Sequence, residues 1–122
     1  METVKIIVYG TLMTGERNHL LCKNAVSITP CTIIGTLYDT GYGFPAFVQE
    51  YYGKVEAELV EIPVEDWPAI DRLEGYPKLY DRKIITAKCA DGREVDGWVY
   101  IMNEVPAGSG VIWNGSWKRR RG

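Results

Sequence analysis

The feature that most constrains this chain is a series of five strand-like runs, separated by glycine- and proline-bearing turns, with one well-formed helical pattern among them. Residues 4–9 (VKIIVY) are mostly apolar and rich in β-branched side chains, which reads as a largely buried first strand ending at Gly10. Residues 32–38 read as a second strand. Residues 54–62 alternate, with Val55, Ala57, Leu59 and Glu61 on one side and Lys54, Glu56, Glu58 and Val60 on the other. That alternation is the pattern of a half-buried strand. Residues 80–89 and 95–102 form two more runs, and Asp91-Gly92 between them is a hairpin signal. The segment Gly41-Tyr42-Gly43-Phe44-Pro45 reads as a loop, because glycines and a proline suit turns better than ladders.

Residues 66–73 give the best helix. Asp66 is placed as its cap, Pro68 falls in the first turn, and Trp67, Ile70 and Leu73 share one face. Gly75 and Pro77 stop it. Residues 18–25 (NHLLCKNA) read as a second, short helix capped by Asn18. Together these elements imply an α+β fold. Five or six strands, antiparallel or mixed, close or nearly close into a small β-barrel with short flanking helices outside.

Length and composition narrow the class. The 122 residues suit one domain, read as residues 1–117 followed by a basic tail at residues 118–122. A chain of this size buries roughly 65% of its unfolded surface, enough for a core without staples. With 46% hydrophobic and 25% charged residues, global disorder is excluded. No apolar run reaches the ~18 residues of a membrane span, and the N-terminal run lacks a signal-peptide cleavage pattern. The odd count of three cysteines (Cys22, Cys31 and Cys89), none at a CxxC spacing, argues against a disulfide framework or a zinc site. Three buried thiols fit a cytoplasmic protein. The single histidine, His19, is the only base available to a Ser-His-Asp or Cys-His enzyme. It reads as a partly exposed residue at a helix start, with a functional role at that turn left open.

Charge is unevenly distributed. Lys118, Arg119, Arg120 and Arg121 hold four of the 14 basic groups, so residues 1–117 carry 10 basic against 16 acidic side chains, a net −6. An acidic body argues against nucleic-acid binding. The tail is the only hint of an acidic or nucleic-acid partner, and it reads as a frayed, solvated terminus.

Two segments bear on chemistry. Tyr9-Gly10-Thr11-Leu12 follows the first strand, where glycine permits a tight turn that presents successive backbone N–H groups to a carboxylate or oxyanion. Asp71-Arg72-Leu73-Glu74-Gly75-Tyr76 places Glu74 at the C-terminal end of a helix, where the macrodipole disfavours its ionised form. Its neighbours at i−4 and i−3, Ile70 and Asp71, supply no cation. Partial burial would raise its pKa into the range of a general base.

These segments occur in order with several others: VYGTL at residues 8–12, GERNH at 15–19, GTLYD at 35–39, FPA at 44–46, VEAEL at 55–59, IDRLEG at 70–75 and YDR at 80–82. The ordered set resembles the γ-glutamylcyclotransferase-like superfamily, closest to its γ-glutamylamine cyclotransferase branch and the small plant and bacterial homologues. The resemblance implies a small mixed β-barrel with a cavity at one side. It implies that the turn at Tyr9, Gly10, Thr11 and Leu12 holds a γ-glutamyl group through backbone N–H groups, and that Glu74 is the catalytic acid/base. The implied reaction is intramolecular: the α-amine of a small-molecule γ-glutamyl substrate attacks its own γ-carbonyl, giving 5-oxoproline and an amine or amino acid. No metal and no organic cofactor is implied.

Tyr80 and Arg82 share one face of their strand by the period of two, which does not say which face. Either they shape the cavity, with a tyrosine hydroxyl and a guanidinium for a carboxylate, or Tyr80 packs and Arg82 meets solvent. Trp98, Tyr100, Trp113 and Trp117 read as core or lid. The loop at residues 41–44, Trp113 and Trp117 are expected to border the cavity. A non-catalytic small-molecule-binding module on the same barrel is the alternative to an enzyme.

Overall fold

The computed structural model describes residues 1–120; Arg121 of the basic tail lies outside the described residues. The strands are β1 (Thr3–Val8), β2 (Ser27–Asp39), β3 (Pro45–Pro63), β4 (Tyr80–Cys89), β5 (Glu94–Met102) and the two-residue β6 (Gly110–Val111), with one α-helix, α1 (Trp67–Glu74), between β3 and β4. Hydrogen-bonded neighbours run β3-β1-β5-β4-β2, and β2 pairs back onto β3. Five strands therefore close into a barrel, leaving no free edge around the ring. β1 and β5 are parallel, through Ile6 opposite Trp98 and Ile7 opposite Val99; every other pairing in the ring is antiparallel. The expected mixed barrel is what forms.

The barrel wall has apolar material on both sides. Ile7, Tyr9, Ile33, Phe47, Val55, Ala57, Val99 and Trp117 fill the interior. Ile6, Val8, Val60, Ile62, Tyr80, Tyr100 and Met102 face outward, where Ile70 of α1 and Leu12, Met13 and Cys22 of the segment after β1 cover them. The apolar second half of β1, Ile6 to Val8, follows from this arrangement, since both faces are buried there while Lys5 in the first half is exposed.

Several local expectations change. β2 and β3 are longer than the sequence runs suggested and pair along almost their whole length. The register shifts between Ile34, opposite Lys54, and Gly35, opposite Gln49, leaving residues 50–53 of β3 unmatched. Pro45 begins β3 instead of closing a loop. The helix expected at residues 18–25 shrinks to a 3₁₀ turn at His19–Cys22, because the Asn18 side chain bonds Thr11 instead of capping. Asp66 likewise makes no cap bond and accepts from Asn24. On α1 only Ile70 is fully buried and Leu73 is 41% exposed. The described part of the tail packs on the barrel instead of fraying: Arg119 pairs with Glu56 at 3.1 Å and the Arg120 guanidinium lies 3.6 Å from the Trp117 ring centroid. All three cysteines are free and buried. No described helix is long and apolar enough to cross a membrane.

Candidate active site

Where β1 leaves the barrel wall, the chain turns sharply and a pocket opens. Its lining is Ile7, Val8, Tyr9, Gly10, Thr11, Leu12, Phe44, Pro45, Glu74, Tyr80 and Tyr100. The cleft encloses about 330 Å³, its open mouth included. Six residues singled out from sequence (Tyr9, Gly10, Thr11, Leu12, Glu74 and Tyr80) thus meet in one place, though up to 71 positions separate them in the chain.

The turn forms one wall. Met13 N–H donates to the Gly10 carbonyl at 3.0 Å, and Asn18 closes the turn twice, its N–H donating to the Thr11 carbonyl and its Nδ2 to Thr11 Oγ1, both at 2.9 Å. His19 Nδ1 lies 2.9 Å from the Leu12 carbonyl. A carbonyl can only accept, so that ring nitrogen carries the proton. His19 is therefore a buttress of this turn. Gly10 is required by close approach, since a Cβ there would come within 2.7 Å of two carbons of the Pro45 ring. Among the described residues, the N–H groups of Gly10, Thr11 and Leu12 have no backbone acceptor outside the regular strands and helices. Three successive donors without an acceptor among the described residues are thus available at this turn, a feature by which turns can hold an anion.

Glu74 stands on another wall as the last residue of α1. The helix ends there because Gly75 adopts the left-handed conformation (φ 65°), with its N–H donating to Arg72 and that of Tyr76 to Asp71. Ile70, one turn earlier, anchors the helix to the barrel, so the Glu74 side chain is half-buried beside the pocket. Burial pushes its carboxyl up to about 7. Three tyrosines face it, and burial raises all three, keeping their hydroxyls neutral. Each hydroxyl already donates within the protein: Tyr9 to the Tyr100 carbonyl and Tyr80 to the Pro45 carbonyl, both at 2.7 Å, and Tyr100 to Asp71 at 2.5 Å. They are committed as donors and shape the pocket mainly as neutral walls with free acceptor lone pairs.

Arg82 is not brought into this lining. It does share a face with Tyr80, but that face lies beneath α1, where its guanidinium pairs with Asp71 at 3.5 Å and stacks on Trp67. Trp113 is 90% exposed and lines a different groove, while Trp117 is buried in the barrel interior, so neither borders the pocket. Of the loop at residues 41–44, only Phe44 lines it. Pro45 and Tyr100 were not assigned to the cavity from sequence. The FPA segment is the sequence hint for Pro45, and Tyr100 reads from sequence only as core or lid. Among the described residues, no cluster of three or more His, Cys, Asp or Glu is placed to hold a metal ion.

Residues 6–119 match the model of the family described as γ-glutamyl cyclotransferase, AIG2-like. The chain belongs to this family. It is 35% identical over 105 residues to the γ-L-glutamyl-butirosin B γ-glutamyl cyclotransferase of Niallia circulans, covering 80% of this chain and 66% of that protein. This chain thus spans just under two thirds of that relative's length. A putative γ-glutamylcyclotransferase of Halalkalibacterium halodurans is 34% identical over 94 residues, 71% of this chain and 81% of the relative. The crystal structure of an AIG2-like protein from Mus musculus superposes with a TM-score of 0.74 at 19% identity, over 88% of this chain and 82% of that one, a likeness of fold.

Proposed function

We propose that this family member catalyses ring closure of γ-glutamyl compounds, releasing 5-oxoproline and the amine or amino acid formerly in γ-amide linkage. The observation that carries the reading is a carboxyl pushed up to about 7 in the same pocket as three successive unpaired backbone N–H groups. An α-ammonium has no lone pair for attack. Glu74 as carboxylate takes one of its protons, and the freed amine adds to the γ-carbonyl carbon. The carbonyl π-electrons move to oxygen, and the N–H groups at Gly10, Thr11 and Leu12 stabilise that oxyanion or hold the substrate α-carboxylate. Collapse of the intermediate breaks the C–N bond to the leaving group as Glu74 gives the departing nitrogen the proton it took, and the regenerated carboxylate then takes the second proton of the ring nitrogen and passes it to water, leaving a neutral lactam and a free amine. A carboxyl near neutrality suits both transfers, since it is neither too weak a base nor too weak an acid. The nucleophile is tethered to its target, so holding the glutamyl chain in a ring-closing shape supplies much of the acceleration.

Tyr9 and Tyr80 bound the glutamyl chain as neutral walls. The Niallia circulans relative's name gives γ-L-glutamyl-butirosin B as the compound that protein acts on, and a γ-glutamyl compound is proposed here with the leaving group open. The test is 5-oxoproline release from a panel containing glutathione, a γ-glutamyl amino acid, γ-glutamyl-ε-lysine and a γ-glutamylated primary amine. Release by the wild type and none by Glu74→Gln is expected. Equal release by both proteins would remove Glu74 from the chemistry, and no release from any compound would count for a binding module.

A further inference from the structure

α1 has eight residues, too few to hold itself together in water, so what fixes it to the barrel also fixes Glu74. Apolar contact contributes Ile70 and the Trp67 ring, whose centroid lies 5.5 Å from that of Trp98 on β5. The remaining contact is unusual. The Arg82 guanidinium, carried by β4, lies 3.7 Å from the centroid of Trp67 at the start of α1 and 4.4 Å from that of Tyr76 just past its end. Its Nη1 is 3.5 Å from Oδ2 of Asp71, midway along the helix. One side chain thus touches both ends and the middle of α1. Arg82 and Asp71 side chains are only 18% and 21% exposed, so the pair is shielded from water. Among the described residues, Arg82 Nε and Nη1 find no hydrogen-bond acceptor. Ring faces and charge hold the group, a geometry that suits a planar guanidinium and not an ammonium. From Asp71 the contact continues inward: Asp71 accepts from the Tyr100 hydroxyl, which accepts from Trp67 Nε1 at 3.1 Å, and the Tyr100 ring lines the pocket.

We propose that Arg82 is a positioning residue, clamping α1 through Trp67, Asp71 and Tyr76 so that the Glu74 side chain is held in the pocket. The inference rests on the reading of Glu74 as the proton carrier. It gives the guanidinium a role on the outer wall of the barrel, away from the glutamyl chain.

The test is a titration of Glu74 followed by carbon NMR of protein labelled at the glutamate side-chain carboxyls, the resonance being assigned by its loss in Glu74→Gln. The titratable groups around Glu74 are Tyr9 after β1, Tyr80 on β4, Tyr100 on β5 and, within α1, Asp71. Removing a neighbouring cation would by itself move the carboxyl upward. Release of α1 into water moves it downward, towards the ordinary carboxylate range, so the sign separates positioning from simple charge loss. In Arg82→Leu the midpoint should fall by about one pH unit or more, with kcat for 5-oxoproline release down about tenfold or more and KM little changed. Arg82→Lys keeps the charge opposite Asp71 without the planar stack. It should fall between the two, and it serves if the leucine variant does not fold. An unchanged or raised Glu74 midpoint in a folded Arg82 variant overturns the proposal. A lowered midpoint without 5-oxoproline release by the wild type would uphold the clamp and sink the cyclotransferase reading.

Discussion

Raising the pH from 5 to 8 should destabilise this protein through one group, and replacing that group should remove the effect. The Glu74 carboxyl is pushed from 4.5 up to about 7 by burial. Below the lower value it is protonated folded or unfolded, and the full benefit of burying a neutral acid is present. Between the two values the folded protein keeps a proton that the unfolded chain has shed, so each step up in pH favours unfolding. Above about 7 the native state must bury a carboxylate and the benefit is gone. Each pH unit in that window costs at most about 1.4 kcal/mol. Counting the water that a half-buried side chain still meets, the loss across the window is about 2 to 3 kcal/mol. Urea unfolding of wild type and Glu74→Gln at pH 5 and pH 8 measures it, because glutamine imitates the protonated acid and the other ionisable groups cancel in the difference. Glu56, whose carboxyl is held low by bonds to Ser116 and Arg119, acts in the opposite sense at lower pH and cancels likewise. A stability difference between the two proteins that stays constant from pH 5 to pH 8 would refute the reasoning.

Three further perturbations follow from the packing. Gly10→Ala drives a methyl into the Pro45 ring; it should lower stability by about 1 to 3 kcal/mol in thermal or urea unfolding and reduce 5-oxoproline release more than stability alone explains. Ile70→Ala empties the fully buried anchor of α1 and should cost about 2 to 4 kcal/mol in the same assay, with Glu74 titrating lower as the helix loosens. Arg119→Ala breaks a surface ion pair whose partners are 63% and 47% exposed; it should change stability by less than about 1 kcal/mol, and high salt should erase the change.

The sequence made the barrel strands legible because their alternation and turn residues agree with the final fold. The ends of β2 and β3 were not legible. Gly53 interrupts the run and Tyr51 and Tyr52 break its alternation, and only the register shift opposite Ile34 and Gly35 shows how the strand continues past them. The short helix at residues 18–25 failed because its cap residue has a better partner in Thr11, a contact set by the turn before it. At the site, Glu74 and the turn from Tyr9 to Leu12 were legible as residue types with a chemistry and a place in an ordered set. Arg82 was half legible: the period of two put it beside Tyr80, but only tertiary packing shows that α1 covers that face and that Asp71 awaits it. Trp113 and Trp117 look alike in sequence and end on opposite sides of the barrel wall, one in solvent and one in the core, for reasons of chain path that local pattern does not encode.

The most direct test of the account is the pH dependence of kcat/KM for 5-oxoproline release from whichever γ-glutamyl compound the wild type turns over. A carboxyl that must be ionised to accept the ammonium proton, and that is pushed up to about 7, predicts an acid limb rising through that pH in the wild type and loss of turnover at every pH in Glu74→Gln. An acid limb near the ordinary glutamate value, or turnover that survives in Glu74→Gln, would contradict it.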